Sequence, residues 1–315
     1  MTALTYETTP CPVCQSVYAK PLFTGEDLLY HGPGRFPVKQ CTGCGLIRTD
    51  PRPTRECIGY WYPEAYGPYA TSSPTRASSA SRLGRIKRAI SEWTLAEALP
   101  EGLTPETALE LGCGSGRFVA ELQQRGWQAE GIEFSEYAVK QAQAAGLPVL
   151  QGDVSRPQAW RDNLQHASYR LLVAWMVLEH LHDPVETLQQ WRDLAQPGAW
   201  LALSVPNAAS LDFKLFRRFG YALQVPTHLF HYTPHTIDAV LQAGGWAPRA
   251  LFHQRNAMNL VGSLGLALRS KFLVGLPENQ SKAALLAKLA LLPLAGILGL
   301  TGQSGRMTVW AQRKD

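Results

Sequence analysis

The sequence contains few charged residues and carries little net charge. Only 17% of its 315 residues are Asp, Glu, Lys or Arg, and 30 basic against 25 acidic side chains leave a formal net charge of +5. This excess is too small to indicate a dedicated nucleic-acid-binding surface. With 45% apolar residues and no long biased tract, the composition excludes a disordered, collagenous or coiled-coil protein. A globular chain of this length is expected to form two domains, or one large α/β domain with an appendage.

The sequence also has few features of a secretory signal or of a membrane-spanning segment. Residues 1–7 have neither a basic nor an apolar region, so we expect no secretory signal and place the protein in the cytoplasm. The most apolar stretch, residues 283–300, has the length of a marginal membrane span. Four residues inside it argue against a spanning helix: Lys288, Pro293, Gly296 and Gly299.

Four of the six cysteines form two closely spaced pairs. Cys11-Pro-Val-Cys14 and Cys41-Thr-Gly-Cys44 are separated by 26 residues. Cytosolic proteins seldom keep disulfides, whereas two thiolate pairs on short turns offer zinc a closed tetrahedral site. The pattern therefore predicts one structural zinc ion bound by Cys11, Cys14, Cys41 and Cys44. The alternative is two pairs of buried or redox-active thiols.

An aromatic run follows the cysteine pairs. Residues 60–69 contain five aromatic side chains, which either line a substrate entrance or pack a small module. Cys57 and Cys113 have no partner at pair spacing and are expected to be small apolar fillers. The small polar residues 70–81 then predict a linker, and near-helical apolar spacing over 82–99 predicts a helix.

From Thr107 onward, strand and helix patterns alternate, which predicts a parallel sheet covered by helices. The first strand, 108–111, runs into the loop Gly112-Cys-Gly-Ser-Gly116 and then a helix. Glycines in such a loop admit positive φ and let the backbone approach a ligand at the carboxyl end of a strand. The third glycine falls one residue too early for the dinucleotide fingerprint Gly-x-Gly-x-x-Gly, so that fingerprint does not match.

Acidic residues follow the next two strands. Glu133 ends the strand 128–133, where an ionised carboxylate can accept hydrogen bonds from both ribose hydroxyls of a nucleoside. Asp153 follows a short strand that begins at Val149, and it is well placed to accept from an adenine amino group. These features, in this order, predict a nucleoside site at the carboxyl edge of the sheet.

The motifs resemble those of a known family. The segments 108–116, 152–154 and 177–184, together with Glu133, are similar to the class I S-adenosylmethionine-dependent methyltransferases of the ubiquinone-biosynthesis type. The similarity covers residues 105–255 and the last strand. The paired-cysteine head with its Tyr-Pro-Glu-x-Tyr tail resembles, more loosely, bacterial methyltransferases of sugar, polysaccharide and secondary-metabolite pathways.

The resemblance implies a Rossmann-like seven-stranded sheet with helices on both faces, and S-adenosylmethionine as the cofactor. It also implies a division of the chain into a zinc-ribbon-like module (1–69), a linker and helix (70–104), a methyltransferase core (105–253), an apolar helical insertion (254–306) and a last core strand (307–315).

The same resemblance assigns cofactor-binding residues. Glu110 and the glycine loop would hold the methionine part, Glu133 the ribose, and Asp153 with Val154 the adenine. The full set is Glu110, Gly112, Cys113, Gly114, Gly116, Glu133, Phe134, Asp153, Val154 and Trp175. Met176 stands where ubiquinone-type O-methyltransferases carry an additional Glu, so we do not expect their metal-assisted catechol chemistry.

A histidine is the expected general base. A sulfonium methyl donor already has a good leaving group, so the protein must align the acceptor and remove its proton. The candidates are His180, which lies beside Glu179 after the fourth strand, and either His228 or His231 after the fifth. Each could instead be a structural histidine that fixes a loop. His182 and His235 are expected to be exposed at helix starts.

The insertion 254–306 separates two strands that the family joins as a hairpin. Its runs of Leu, Ala and Gly are apolar on nearly every face and must be buried in protein, lipid or a partner. One alternative is burial within the protein or in a homodimer. The other is a lid over a lipid-like acceptor, or a peripheral contact of 283–300 with the inner face of the membrane.

The sequence thus predicts methyl transfer to a small molecule, either a sugar or an isoprenoid- or lipid-linked metabolite. Two rival functions remain at this point. One is an RNA methyltransferase whose zinc module binds RNA, although the low net charge of the protein does not favour nucleic acid as a partner. The other is a non-catalytic scaffold or sensor that only binds the cofactor.

Overall fold

The computed structural model of the protein describes residues 4–62, 92–268 and 290–314. Several sequence-predicted features lie outside these ranges: the aromatic run beyond Tyr62, the linker at 70–81, the predicted helix up to residue 91, and residues 269–289 of the insertion.

The strands and helices alternate over the central part of the chain. In chain order the strands are β1 (Tyr6–Glu7), β2 (Ala19–Gly25), β3 (Phe36–Cys41), β4 (Ile47–Thr49), β5 (Arg52–Pro53), β6 (Thr107–Leu111), β7 (Gln128–Glu133), β8 (Val149–Gln151), β9 (Tyr169–Trp175), β10 (Ala195–Pro206), β11 (Phe230–His231), β12 (Trp246–His253) and β13 (Arg306–Arg313). The α-helices are α1 (Arg117–Gln124), α2 (Glu136–Ala144), α3 (Pro184–Asp193), α4 (Leu211–Phe216), α5 (Pro234–Ala243), α6 (Met258–Ala267) and α7 (Leu292–Leu300).

A seven-stranded sheet forms the centre, in the order β8-β7-β6-β9-β10-β13-β12. The five strands from β8 to β10 are parallel, and β13 pairs antiparallel with both β10 and β12. The predicted seven-stranded α/β fold is therefore confirmed. Because the parallel strands share one carboxyl edge, the loops that follow β6 to β10 meet there.

Helices cover both faces of this sheet, as predicted. Successive strand residues point to opposite faces, so each strand supplies two cores. On one face α1 and α2 pack against the strands, in a cluster that includes Phe118, Val119, Leu122, Val139, Ala142, Ala108, Leu171 and Val173. On the other face α3 and α5 do the same, in a cluster that includes Leu188, Trp191, Ile237, Val240, Leu109, Leu172 and Ala174.

The N-terminal module is built into the rest of the protein. Its antiparallel strands β2, β3 and β4 are joined by β11, which comes from the loop region after β10. The backbone N–H of Thr49 donates to the Leu229 carbonyl at 2.9 Å, and the Thr49 hydroxyl donates to the His228 carbonyl, also at 2.9 Å. These bonds place the module over the carboxyl edge of the central sheet.

The described part of the insertion forms α6 and α7. Its buried side consists of Ala257, Ala295 and Leu298, against which Trp93 also packs. Large apolar side chains remain on the outside: Leu264 is 45% exposed, Ile297 58% and Leu300 84%. None of the helices in the described ranges combines the length and apolar character needed to cross a bilayer.

Candidate functional site

The four paired cysteines converge at one point, as predicted. All their sulfur atoms lie within 4.8 Å of one another, and the Cys11–Cys44 and Cys14–Cys41 sulfur separations are 3.4 and 3.5 Å. Thiolates about 2.3 Å from a tetrahedral zinc have sulfur separations of about 3.8 Å, so the cluster needs only a small expansion. A Cβ on Gly43 would approach the Cys14 sulfur to 3.1 Å, which explains the glycine at this turn.

Backbone amides favour a thiolate at Cys41, whereas burial raises the pKa of Cys11 and of Cys44 above the usual thiol value. Burial opposes ionisation of Cys41, but the backbone amides of Cys44 and Gly43 donate to its sulfur and lower its pKa to about 6. A zinc ligand must be deprotonated, so amides that favour a thiolate also favour the metal. The donor set and its spacing fit structural zinc.

The glycine loop after β6 makes a tight turn at the carboxyl edge. Gly112, Gly114 and Gly116 all have positive φ, of 76°, 54° and 80°. A Cβ on Gly112 would lie 2.7 Å from a methyl group of Val177, and one on Gly116 would lie 2.7 Å from a methyl group of Leu147. Backbone conformation and space therefore both require glycine at these two positions.

Glu133 is locked against this loop. Its two carboxylate oxygens accept hydrogen bonds from the backbone N–H groups of Gly114 and Ser135, both at 2.8 Å. Burial raises the pKa of Glu133, while the amides of Ser135 and Gly114 oppose this shift. Each oxygen keeps a second lone pair, so the carboxylate can still accept from ribose hydroxyls.

Several buried side chains at the carboxyl ends of β6 and β9 have unpartnered polar atoms within the described part of the chain. Among the residues described, the buried side-chain atoms without a hydrogen-bond partner include Glu110 Oε2, Ser115 Oγ, Trp175 Nε1 and both carboxylate oxygens of Glu179. Buried polar groups are normally paired, so such a group at one edge of a sheet indicates a polar ligand. Its donors and acceptors fit the amino acid and nucleoside parts of S-adenosylmethionine, since Glu110 can accept from an ammonium group and Ser115 can donate.

The other predicted cofactor residues surround the same edge. Asp153 is half-buried after β8, and Val154 is 8% exposed with its carbonyl oxygen fixed by the Trp191 indole N–H at 2.8 Å. Phe134 is exposed directly after Glu133, and Cys113 is buried beneath the loop, where a Cβ on Gly131 would collide with its sulfur. Burial raises the pKa of the Cys113 thiol well above its usual value, so Cys113 is the filler that the sequence predicted.

A second cluster lies beyond β9 on the same edge. Glu179 and His180 belong to the short turn Leu178–His180, and His228 reaches them from the segment before β11. One ligand-type atom from each residue lies within 4.8 Å of the other two, a spacing that a divalent cation can also bridge. The His180 and His228 rings meet edge to face with centroids 4.6 Å apart.

Hydrogen bonds define which nitrogen of each histidine is basic. His180 Nδ1 lies 3.0 Å from the Thr227 carbonyl oxygen, and His228 Nδ1 lies 2.9 Å from the Ala222 carbonyl oxygen. Because a carbonyl oxygen only accepts, both contacts favour the tautomer with the proton on Nδ1. The Nε2 atom of each ring is then the nitrogen that can take a proton.

The module supplies a further contact to this cluster. The Tyr62 hydroxyl lies 2.9 Å from His180 Nδ1, and the two rings lie 6.0 Å apart. Tyr62 follows the short turn Ile58–Trp61, whose Trp61 is buried against Phe36 in the module's core. Part of the aromatic run thus packs the module, and part of it reaches the candidate site.

Burial makes the cluster electrically neutral near pH 7. It lowers the pKa of His180 to about 4 and the pKa of His228 well below its usual value, in the second case assisted by His180 and His231. It raises the pKa of Glu179 to about 8, against which the Glu179 backbone N–H and Arg306 act weakly. Both imidazoles are therefore free of added protons, and Glu179 is protonated.

Comparison with known proteins decides the family. A sequence family described as a methyltransferase domain matches residues 83–251, which is more than half of the chain. The chain belongs to this methyltransferase family. The family resemblance that the sequence predicted is thereby confirmed, and with it S-adenosylmethionine as the cofactor that the loop and Glu133 fit.

Curated relatives of this methyltransferase match only part of its length. A protein named ubiquinone biosynthesis O-methyltransferase from Leptothrix cholodnii is 33% identical over 110 residues, which are 34% of this chain and 47% of the relative. Its namesake from Paracidovorax citrulli is 27% identical over 121 residues, 36% of this chain and 51% of the relative. The chain thus spans about half the length of these relatives.

Two solved structures align with much of this chain. A methyltransferase from Mesorhizobium loti, described as dependent on S-adenosylmethionine, aligns with 75% of this chain and 99% of its own, at a TM-score of 0.44 and 17% identity. One from Archaeoglobus fulgidus aligns with 73% of this chain and 91% of its own, at a TM-score of 0.43 and 16% identity.

The structure of this methyltransferase also corrects and extends the sequence analysis. His182, expected at the surface, is only 5% exposed because its Nε2 contacts the Pro53 carbonyl oxygen at 3.0 Å beneath the module. His235 is exposed, as expected. His231 lies in β11, contacts the Thr49 hydroxyl at 3.3 Å and is not a member of the group Glu179, His180 and His228. Ser115 was overlooked, although it stands inside the glycine motif.

Proposed function

We propose that the protein transfers the methyl group of S-adenosylmethionine to an oxygen atom of a small-molecule acceptor bound between the zinc module and the carboxyl edge of the sheet. The observation that carries this proposal is that two groups of residues adjoin at the carboxyl edge of the central sheet, a cofactor half and an acceptor half. One half is the glycine loop with Glu133, and the other is the neutral cluster of Glu179, His180 and His228. The module closes over the second half through Tyr62.

The cofactor half would hold S-adenosylmethionine through residues at the carboxyl ends of β6, β7 and β8. Glu110 and the glycine loop suit its amino acid end, Glu133 its ribose, and Asp153 with the Val154 backbone its adenine. The bound cofactor supplies an electrophilic methyl group on a sulfonium, which leaves as a neutral thioether without help from an acid. The work left to the protein is therefore to align the acceptor and remove its proton.

His180 is the base that the geometry favours. His228 is only 1% exposed, whereas His180 is partly accessible and faces the module. With its Nδ1 proton directed to the Thr227 carbonyl, His180 presents Nε2 to an acceptor. Its low pKa keeps the ring unprotonated at neutral pH and suits an acceptor with an acidic hydroxyl. His228 packs against this ring and restricts its orientation.

Two observations favour an isoprenoid-linked acceptor over a sugar. The curated relatives are named as ubiquinone biosynthesis O-methyltransferases. In addition, α6 begins shortly after β12 and α7 ends shortly before β13, at the same edge of the sheet, and both expose apolar side chains such as Leu264, Ile297 and Leu300. An apolar tail on the acceptor, or the surface of a membrane that contains it, would cover such residues.

The test is transfer of a labelled methyl group. Purified protein is incubated with methyl-labelled S-adenosylmethionine and an extract of the cells that produce it, and His180→Gln serves as the matched control. We expect label in the organic-solvent fraction with the wild-type protein and a large loss with the variant. Label in small polar molecules would replace the isoprenoid-linked acceptor by a sugar. Label in RNA, or none, would contradict the proposal.

A further inference from the structure

The zinc module reaches the cofactor half of the site as well as the acceptor half. Arg55 lies in the turn after β5, and its guanidinium group spans two loops of the sheet edge. One NH₂ group donates to the Ser155 hydroxyl at 3.0 Å, and the other donates to the Asp183 carboxylate at 2.6 Å. Ser155 follows β8 and Asp183 follows β9, so one side chain of the module joins two loops of the core.

The contact to Ser155 continues to Asp153. Both the backbone N–H and the hydroxyl of Ser155 donate to Asp153 Oδ1, at 2.9 and 2.7 Å. An arginine has donors only, so Ser155 must accept from Arg55 and is left to donate its single hydroxyl proton to Asp153. The three side chains thus form a relay of hydrogen bonds in which Arg55 donates to Ser155 and Ser155 donates to Asp153. This relay holds Asp153 Oδ1 in place.

The second oxygen of Asp153 stays available. Asp153 Oδ2 lies 3.8 Å from the guanidinium group of Arg156, and these two side chains are 37% and 59% exposed, so they form a weak surface ion pair. With Oδ1 bound twice by Ser155, the carboxylate cannot rotate freely, and Oδ2 points away from Ser155. An oriented acceptor of this kind recognises a donor such as the exocyclic amino group of adenine.

We propose that Arg55 is a positioning residue for adenine: through Ser155 it orients Asp153, so that the zinc module determines the selectivity of the core for the nucleobase. This inference rests on the proposed function, in which Asp153 faces adenine. It goes further because it assigns a role in cofactor recognition to a residue outside the methyltransferase core. An adenine base, with an amino group at its 6-position, is the ligand it selects over a base with an oxygen there.

The role of Arg55 can be separated from folding because other residues hold the loop backbone. The Trp160 indole N–H donates to the Asp153 carbonyl at 2.8 Å, and the Trp191 indole N–H donates to the Val154 carbonyl at 2.8 Å. Both tryptophans are buried in the core. Loss of Arg55 is therefore expected to free the Asp153 side chain without releasing the loop.

The experiment compares two ligands by isothermal titration calorimetry. They are S-adenosylhomocysteine and S-inosylhomocysteine, in which an oxygen replaces the 6-amino group. We expect the zinc-loaded wild-type protein to prefer the adenine ligand. We expect Ser155→Ala to reduce this preference about tenfold and Arg55→Met about threefold, as the loss of one oriented hydrogen bond would. The double variant should lose little more than Ser155→Ala alone, because both changes break one relay.

Two control variants separate the positioning of Asp153 by Arg55 from the attachment of the module to the core. Asp183→Asn weakens the other contact of Arg55 and is expected to keep the preference. Arg35→Met removes an exposed ion pair with Glu26, in which the side chains are 71% and 55% exposed, and it should change nothing. If Arg55→Met loses zinc, the adenine preferences of Ser155→Ala and Asp183→Asn are compared instead, because both of these changes lie in the core and leave the module's own residues unchanged.

Failure of the proposed role of Arg55 and failure of the proposed methyltransferase function give different results. An unchanged preference in folded, zinc-loaded Arg55→Met, or equal losses in Ser155→Ala and Asp183→Asn, would overturn the role of Arg55 alone. A wild-type protein that binds neither ligand would overturn the proposed function and this inference together.

Discussion

Two buried glutamates of the same edge, Glu133 and Glu179, have opposite surroundings. Glu133 receives a backbone N–H on each carboxylate oxygen, and both donors lie within the strand-loop units that the sequence motif encodes. Glu179 is completely buried, and neither of its oxygens has a partner among the described residues. The carboxylate of Glu133 is thus positioned by its own loop, whereas no described residue positions the carboxyl group of Glu179 through a hydrogen bond.

The two halves also differ in how they are assembled. The cofactor half comes from consecutive units of the core, and Arg55 of the module donates to it at Ser155. The acceptor half combines the turn after β9, the segment before β11 and Tyr62 of the module. We therefore expect changes in the module to disturb the acceptor half most, and changes at strand ends to disturb cofactor binding most.

Removal of the metal should have the largest effect. Cys41→Ser is expected to lower the zinc content from about one ion per chain to almost none and to unfold the module, because so small a unit cannot build a sufficient core. Metal analysis and circular dichroism measure both, and methyl transfer should vanish with them. Cys57→Ser, which changes a cysteine outside the cluster, is the matched control for zinc content. A fully active, metal-free Cys41→Ser protein would contradict the structural role of zinc.

Loss of the base should come next. His180→Gln is expected to lower turnover about 10²- to 10⁴-fold, the usual contribution of general base catalysis, and to leave affinity for S-adenosylhomocysteine nearly unchanged. Single-turnover kinetics and calorimetry separate the two effects. His235→Gln, at an exposed position, serves as the control. Equal turnover in both variants would remove His180 from the reaction.

Changes at Glu133, the residue assigned to the ribose, should mainly weaken cofactor binding. Glu133→Ala is expected to weaken binding of S-adenosylhomocysteine by about 2 kcal/mol, because charge-assisted bonds to the ribose hydroxyls are lost. Glu133→Gln should cost less, since its amide oxygen can still accept. Calorimetry measures both values. Unaltered affinity in Glu133→Ala would contradict the assignment of the nucleoside site.

A smaller effect is expected from the module's own contact with the base. Tyr62→Phe keeps the ring and removes the hydroxyl next to His180 Nδ1, so turnover should fall about fivefold, as for one neutral hydrogen bond. Tyr60→Phe, on a side chain that is 62% exposed, is the neighbouring control. Equal turnover in Tyr62→Phe and Tyr60→Phe would contradict a role of the Tyr62 hydroxyl in the acceptor half.

The smallest expected effect is the dependence of stability on pH. Since burial lowers the pKa of His180 from 6.5 to about 4, the unfolded state binds more protons between these values, and the free energy of unfolding falls as pH drops through this window. Urea unfolding at about pH 7.5 and about pH 5.5 should show a smaller fall for His180→Gln than for the wild type. Equal falls would indicate that His180 is not buried as a neutral ring.

Most of the central fold was predictable because its signals are local. Short apolar strands, the glycine loop and the acid at the end of β7 follow one another in the sequence, and the strands expected at 108–111, 128–133 and from Val149 occur there as β6, β7 and β8. The cysteine pairs were equally readable, since ligand spacing reflects the geometry of the metal. His182 was misjudged because nothing near it in the sequence indicates that Pro53 covers it.

The sequence by itself determined the strands of the sheet, the cysteine cluster and the glycine loop that Glu133 contacts, because each depends on residues that are close in the chain or on a fixed metal geometry. Only the tertiary structure decided the acceptor half and the relay from Arg55. Tyr62 and His180 are 118 residues apart, and Arg55 and Ser155 are 100 apart. Such contacts form when β11 joins the module's sheet and brings it over the edge, and no local pattern encodes that pairing.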